Sequence, residues 1–276
     1  MTMISRCYLE ITNVCNLDCV FCPKTDRPKH RLTQEEFDHL TDKLQGQVQF
    51  LYFHLMGEPF LHPLLPDFIQ SARQKGFVPV LTTNGTLLPK TRGVIEAHPH
   101  KIQISLHSQE GNGKENPEAY LEGVMKFALE AASAGIIIVL RLWNQGFDEG
   151  RNLKTEALIR ERFPNEWKWG RKGARIRDKL HLEYDTRFAW PDMEADDMGS
   201  GVFCYGLKDH FGILCDGRVI PCCLDREGAV TLGNIFEENS IEEILSSPRA
   251  VAMRKGFTER RATEELCRKC GYARRF

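Results

Sequence analysis

The chain has 276 residues, 42% of them hydrophobic, and its 37 basic and 38 acidic residues leave a formal charge of -1. That length accommodates one large α/β domain with a smaller appendage, and the near-neutral balance excludes a general field that would draw in nucleic acid or an anionic membrane surface. The N-terminal MTMISRCYLE has neither a basic n-region nor an apolar h-region, and the longest purely aliphatic run is residues 136–140, so a cytoplasmic chain with no membrane partner is expected.

Apolar runs and helix-like segments alternate from the start. CYLEIT (7–12) reads as a strand, TQEEFDHLTDKL (33–44) as a helix, FLYFHLM (50–56) as a strand, LPDFIQSARQKG (65–76) as a helix and FVPVLTT (77–83) as a strand. The order continues with a helix at 91–97, a strand at 101–107, a helix at 117–135, a strand at 136–143, a helix at 153–163 and a weaker sixth strand, KLHLEY, at 179–184. Gly76 and Gly135 stand where helix C-caps belong. This βα order predicts an α/β fold with parallel strands in a partial, TIM-like (β/α)6 barrel. The rival, a doubly wound sheet, wants a glycine-rich phosphate turn after the first strand. A cysteine loop stands there instead, and GNGKEN (111–116) lacks the third glycine.

Residues 166–179, with six basic and two acidic side chains, read as a solvated loop or as a site for an acidic peptide or phosphate. Pro191, an acidic run and Gly-Ser-Gly at 199–201 mark a linker, which places the barrel at 1–190 and the linker with a small domain at 191–276. In that small domain Asp216-Gly217 predicts a two-residue hairpin turn, followed by a helical segment ahead of ELCRKC.

Ten cysteines in a reducing compartment read as metal ligands or catalytic thiols rather than disulfides. Three lie in NVCNLDCVFCP (13–23), on the loop leaving the first strand. Soft thiolates there can hold three corners of an iron-sulfur cubane and leave the fourth iron open. Cys7 sits about 20 Å from that strand's end, at roughly 3.3 Å per residue, and reads as a buried strand residue. A zinc site completed by a distant residue, or three unrelated thiols, is the alternative.

The Cys-x3-Cys-x2-Cys pattern of Cys15, Cys19 and Cys22, with Phe21 before the last, resembles the signature of the radical S-adenosylmethionine (SAM) enzymes. The resemblance extends to MGEP (Met56, Gly57, Glu58, Pro59), similar to the segment that binds the SAM amino group through backbone and glutamate. TTNGTLL (82–88) and ISLHS (104–108) also resemble the family, implying that Asn84 and Ser105 approach the SAM ribose and carboxylate and that Phe21 packs near the adenine. His107 replaces an acid common in the family, and the arginine frequent in the next loop is missing, with only Lys114 nearby. Arg141, on the fifth strand, is the substitute considered for the SAM carboxylate, against the plainer reading of a surface ion pair.

Of the remaining cysteines, Cys204, Cys222, Cys267 and Cys270, with Gly217 and Gly233-Asn234, resemble the SPASM/twitch extension of that family in its shorter form with one auxiliary 4Fe-4S cluster. The ligand intervals and His54 in FHLMGEP resemble the 2-deoxy-scyllo-inosamine dehydrogenases within it. From the two-residue turn, Cys215 lies roughly 13 Å along the ladder from Cys222, too far to share a cluster. Cys223 faces away from Cys222 if the strand stays regular, although a bulge would exchange the two. Four thiolates also suit tetrahedral zinc.

The resemblance implies SAM and two 4Fe-4S clusters as cofactors, an external donor of flavodoxin or ferredoxin type, and a 5′-deoxyadenosyl radical that takes a substrate hydrogen. An auxiliary cluster able to accept an electron makes the net reaction an oxidation of dehydrogenase type. Such a step needs a base, for which His54, His107, Glu183 and Tyr184 are the strand-end candidates. Modification of a peptide is the alternative to a small-molecule substrate, the chain beginning about six residues before its first strand. A non-enzymatic zinc or iron-sulfur protein is the reading from another class.

Overall fold

The computed structural model describes residues 4–88, 92–110 and 117–275. GNGKEN, including Lys114, and Thr91 therefore lie outside the described residues. The chain forms β1 (Arg6–Leu9), α1 (Gln34–Leu44), β2 (Phe50–Phe53), α2 (Leu65–Gln74), β3 (Val78–Thr83), α3 (Arg92–Ala97), β4 (Lys101–Ser105), α4 (His107–Glu110), α5 (Pro117–Ser133), β5 (Ile137–Gln145) and α6 (Arg151–Arg162). A hairpin follows, β6 (Lys168–Gly170) and β7 (Gly173–Arg177), then β8 (Leu180–Thr186). The C-terminal part holds β9 (His210–Ile213), β10 (Arg218–Ile220), β11 (Gly233–Asn234), α7 (Ile241–Leu245), α8 (Pro248–Thr258) and α9 (Glu265–Arg268).

Among the described residues one sheet carries eleven strands, in the order β11-β10-β9-β1-β2-β3-β4-β5-β8-β7-β6. Strands β1 to β5 and β8 are parallel neighbours, which is the partial (β/α)6 barrel with a small C-terminal part. Two local expectations change. Residues 166–179 are no loop: their alternation builds the antiparallel β6–β7 hairpin on the outer edge of β8. The C-terminal hairpin continues the barrel sheet, because β9 runs parallel to β1 with Tyr8 opposite Gly212.

Strand parity fixes the barrel's interior, since side chains alternate across a strand. Cys7, Leu9, Leu51, Phe53, Leu81, Ile102, Ile104, Ile138, Leu140 and Leu182 are buried in the core shared with the helices. Phe37 on α1 shows how the helices meet that face: it stacks on Phe68 of α2 with ring centroids 4.1 Å apart and meets Phe53 edge-on. The intervening residues Tyr8, Tyr52, Gln103 and Arg141 line the lumen.

Candidate active site

The cysteine loop is closed at its base by short polar side chains that serve the returning backbone. Thr12 Oγ1 donates to His30 O at 2.9 Å, Asn13 Nδ2 donates to Pro28 O at 2.8 Å, and Asn13 Oδ1 accepts from His30 N at 2.9 Å. Within the loop Cys22 N donates to Cys19 O at 3.0 Å, and Cys15 Sγ accepts from Leu17 N at 3.4 Å. Cys19 is buried, with its Sγ 3.5 Å from Ser108 O, while Cys15 is exposed. The protein packed around the Cys15 sulfur raises its thiol even though the residue reaches solvent, so metal loading there has to release a proton.

MGEP docks on this loop through Gly57, which has φ +76°; a Cβ there would stand 2.4 Å from Thr12 O, a contact only glycine avoids. Glu58 N then donates to Val14 O at 2.8 Å. The Glu58 carboxylate is buried and accepts from Thr83 Oγ1 at 2.8 Å, Asn84 N at 2.7 Å and Phe60 N at 3.0 Å. Burial raises it to about 7. Two of these bonds tie MGEP to the end of β3 and the loop after it and the third closes its own turn, leaving about one of the roughly four lone-pair sites for a ligand. Asn84 completes the junction: its Nδ2 donates to Asn16 Oδ1 at 3.0 Å and lies 4.0 Å from Cys15 Sγ. Pro59 opens the short 3-10 turn after Glu58, and Met56 N donates to Glu10 Oε1 at 3.2 Å.

His107 sits beside this pocket. Its ring centroid is 5.1 Å from that of Phe21, its Nδ1 is 3.2 Å from Arg141 O, and burial lowers it to about 4. Arg187, absent from the sequence reading, lays its guanidinium 5.1 Å from the Phe21 ring centroid and leaves its buried Nε without a hydrogen bond.

A cavity of about 510 Å³ opens inside the barrel. Tyr8, Tyr52, His54, Gln103, Arg141 and Trp143 form its barrel wall, and Cys204, Cys222, Cys223, Cys267 and Cys270 line it from the C-terminal part. His54 is held edge-on by Tyr8 and Tyr52, its Nε2 lies 3.5 Å from Thr82 Oγ1, and its buried Nδ1 has no hydrogen-bond partner. Burial and then the Arg141 charge pull it down to about 3, so the imidazole is neutral. Arg141 stacks 4.1 Å from the Trp143 ring centroid, with its Nε 4.0 Å from Glu183 Oε2. It lies half-buried on the lumen wall, and Ser105 is its register partner across the β4–β5 pair.

Tyr184 departs from expectation. Its O–H donates to Glu156 Oε2 on α6 at 2.5 Å, on the face opposite Glu183, so it does not reach the lumen as a base. The parity that sends Arg141 and Glu183 inward sends Tyr184 outward.

The C-terminal hairpin also corrects the predicted register. Val219 pairs with Ile213 and Ile220 with Gly212, one residue away from a two-residue turn. The loop is three residues, 215–217, with Gly217 at φ +86° in the left-handed position that this turn requires. Cys215 still lies apart from the other thiols, because its N donates to Glu10 Oε2 at 3.1 Å and its Sγ is 3.7 Å from Arg27 Nη1. Strand β10 ends at Ile220, before the Cys222-Cys223 pair, so these two no longer alternate. Cys223 turns into the same cavity, which Tyr8 lines from the barrel side.

Gly206 brings Cys204 and Cys222 together: a Cβ there would stand 3.4 Å from Cys204 Sγ and 3.7 Å from Cys222 Cβ. Burial raises the Cys267 thiol, and its neighbours Cys204 and Cys270 raise it further. Among the described residues no three His, Cys, Asp or Glu side chains converge on a single-ion site. The soft, all-sulfur donor sets fit clusters. No described helix is long and apolar enough to cross a membrane.

Two family models match: the radical SAM superfamily over residues 9–143 and the SPASM iron-sulfur cluster-binding domain over 204–271. The chain is 34% identical over 85 residues to the tungsten-containing aldehyde ferredoxin oxidoreductase cofactor-modifying protein of Pyrococcus furiosus, spanning 29% of this chain and 24% of that protein, about a quarter of its length. It is 23% identical over 287 residues to a probable GTP 3′,8-cyclase of Pyrobaculum aerophilum, covering 89% of this chain and 92% of the other. In fold it is similar to BtrN solved in complex with AdoMet and 2-DOIA, with a TM-score of 0.64, 17% identity, and 98% and 93% of the two chains covered. With both cysteine groups, the MGEP junction and the barrel in place, the chain belongs to the radical SAM superfamily and carries a SPASM iron-sulfur domain, with SAM and 4Fe-4S clusters as its cofactors.

Proposed function

We propose that this radical SAM enzyme is an oxidoreductase that dehydrogenates a small polar molecule held in the barrel lumen. One observation carries the reading: the auxiliary thiols form part of the wall of the same cavity that the barrel residues line. Bound at Cys15, Cys19, Cys22 and MGEP, and at Cys204, Cys222, Cys267 and Cys270, the cofactors supply a radical that removes one hydrogen atom and an acceptor for one electron. The chain's residues supply the rest. Loss of the remaining proton requires a base, and His54, a neutral imidazole on the cavity wall with a buried, unpartnered Nδ1, is the group we assign, with Glu183 beside Arg141 as the second. Hydrogen atom, electron and proton together balance a two-electron oxidation. Arg141 and Gln103 orient the polar groups of the substrate, and the aromatic wall of Tyr8, Tyr52 and Trp143 excludes water.

Asn84, Ser105 and Phe21 belong to the SAM pocket in this reading, with Arg187 as the further cation beside it. Electrons enter from a flavodoxin- or ferredoxin-type protein in the cytoplasm. The test is anaerobic reconstitution of the wild type and a C222A/C267A variant, scored for iron, for reductive SAM cleavage and for oxidised product from a panel of polyols, amino sugars and short peptides. Retained SAM cleavage with lost oxidation in the variant supports the proposal. Oxidation that survives loss of the auxiliary iron refutes it.

A further inference from the structure

Glu10 and Arg27 form a buried ion pair that neither cysteine group explains. Glu10 is 0% exposed and Arg27 8%. The guanidinium grips the carboxylate with both prongs, Nη2 to Oε1 at 2.6 Å and Nη1 to Oε2 at 2.8 Å. Each oxygen then takes one backbone donor from elsewhere: Met56 N at 3.2 Å on Oε1, and Cys215 N at 3.1 Å on Oε2. All of the carboxylate's roughly four acceptor sites are used. Arg27 spends its remaining prong on a third segment, Nε donating to Arg226 O at 2.7 Å.

The positions of these partners give the pair its meaning. Arg27 lies on the cysteine loop just past Cys22, Met56 opens MGEP, and Cys215 and Arg226 stand on either side of Cys222. A single carboxylate–guanidinium unit therefore joins both walls of the SAM pocket to the segment that carries an auxiliary thiol. Net stability does not account for it, because a buried pair replaced by apolar residues of similar volume is often as stable. We propose that Glu10–Arg27 is a positioning device that holds the SAM-binding loop and the auxiliary-cluster segment at one fixed spacing.

The proposal rests on the family assignment and is tested by a variant that separates position from stability. Arg27→Met alone leaves a buried bare carboxylate and lowers the melting temperature. Glu10→Met/Arg27→Met removes both charges at similar volume and is expected to recover most of that loss. In the reconstituted holoenzyme this double variant should nevertheless show faster amide hydrogen exchange in the peptides containing Met56 and Cys215. Its KM for SAM in reductive cleavage should rise about tenfold, the size of one lost charge-assisted hydrogen bond. A stable double variant with wild-type exchange at both amides and wild-type KM overturns the proposal. If the double variant does not fold, Arg27→Lys carries the test, since it keeps the charge but cannot reach Glu10 and Arg226 together. The same rise in exchange and KM then supports the proposal, and wild-type values overturn it. Iron-loaded wild-type protein that fails to cleave SAM counts against the family activity alone, since the exchange comparison still reports on the pair.

Discussion

His107 gives the most direct test of the site's electrostatics. It is 8% exposed, and burial lowers it from 6.5 to about 4. Between those values the unfolded chain binds a proton that the folded chain refuses, so stability rises with pH across the window and falls as pH drops below 6.5. A full shift of this size corresponds to about 3 kcal/mol, of which about 1.4 kcal/mol is developed at pH 5.5 and nothing at pH 8. Glu58 works in the opposite sense: raised to about 7, its contribution declines as pH rises from about 4.5 through 7. It is common to wild type and variant and cancels in their difference. His107→Gln keeps an N–H within reach of Arg141 O but takes up no proton. In anaerobic urea unfolding, the gap between pH 8 and pH 5.5 stabilities should shrink by about 1.4 kcal/mol in the variant, near 3–6 °C on a thermal scale. Parallel pH curves for the two proteins refute the account of a buried, neutral imidazole.

Gly57→Ala should abolish SAM binding measured by equilibrium dialysis, because the new Cβ would stand 2.4 Å from Thr12 O and must push MGEP off the cysteine loop. Cys222→Ala should lose the iron of one cluster on reconstitution, whereas Cys223→Ala should keep all of it, as judged by iron analysis; equal losses would exchange their roles. Tyr184→Phe should leave turnover within about twofold, a fraction of the tenfold that 1.4 kcal/mol represents, and cost about 1 kcal/mol of stability for the lost bond to Glu156.

What the sequence made legible is local. The spacing of Cys15, Cys19 and Cys22 and the glycine of MGEP declare their chemistry because ligand geometry and close backbone approach act over a few residues. The barrel strands were readable for the same reason, as alternation inside CYLEIT and FLYFHLM. Which alternate residues face the lumen was not readable without the pairing: opposite Arg141, Glu183 goes inward and Tyr184 outward, although both stood as candidate bases. The hairpin register failed by one residue because Asp-Gly serves both two-residue turns and three-residue turns that end in a left-handed glycine. That single step, together with the end of β10 at Ile220, decides that Cys223 shares the cavity with Cys222.

Glu10 marks the limit of such reading and shows where it can be extended. In CYLEIT it is one acid among apolar residues, while its partners lie 17, 46 and 205 positions away. No local pattern connects them. Yet a glutamate is almost never fully buried without a partner, so an acid at the end of a strand whose Cys7 and Leu9 face the core already demands a cation nearby. Arg27, on the far side of the cysteine loop, is placed to meet that demand only if the loop folds back on the strand, as Thr12 and Asn13 make it do through His30 and Pro28. The same closure that presents three thiols to one cluster thus delivers the guanidinium to Glu10, and through it ties the loop to Met56 and Cys215.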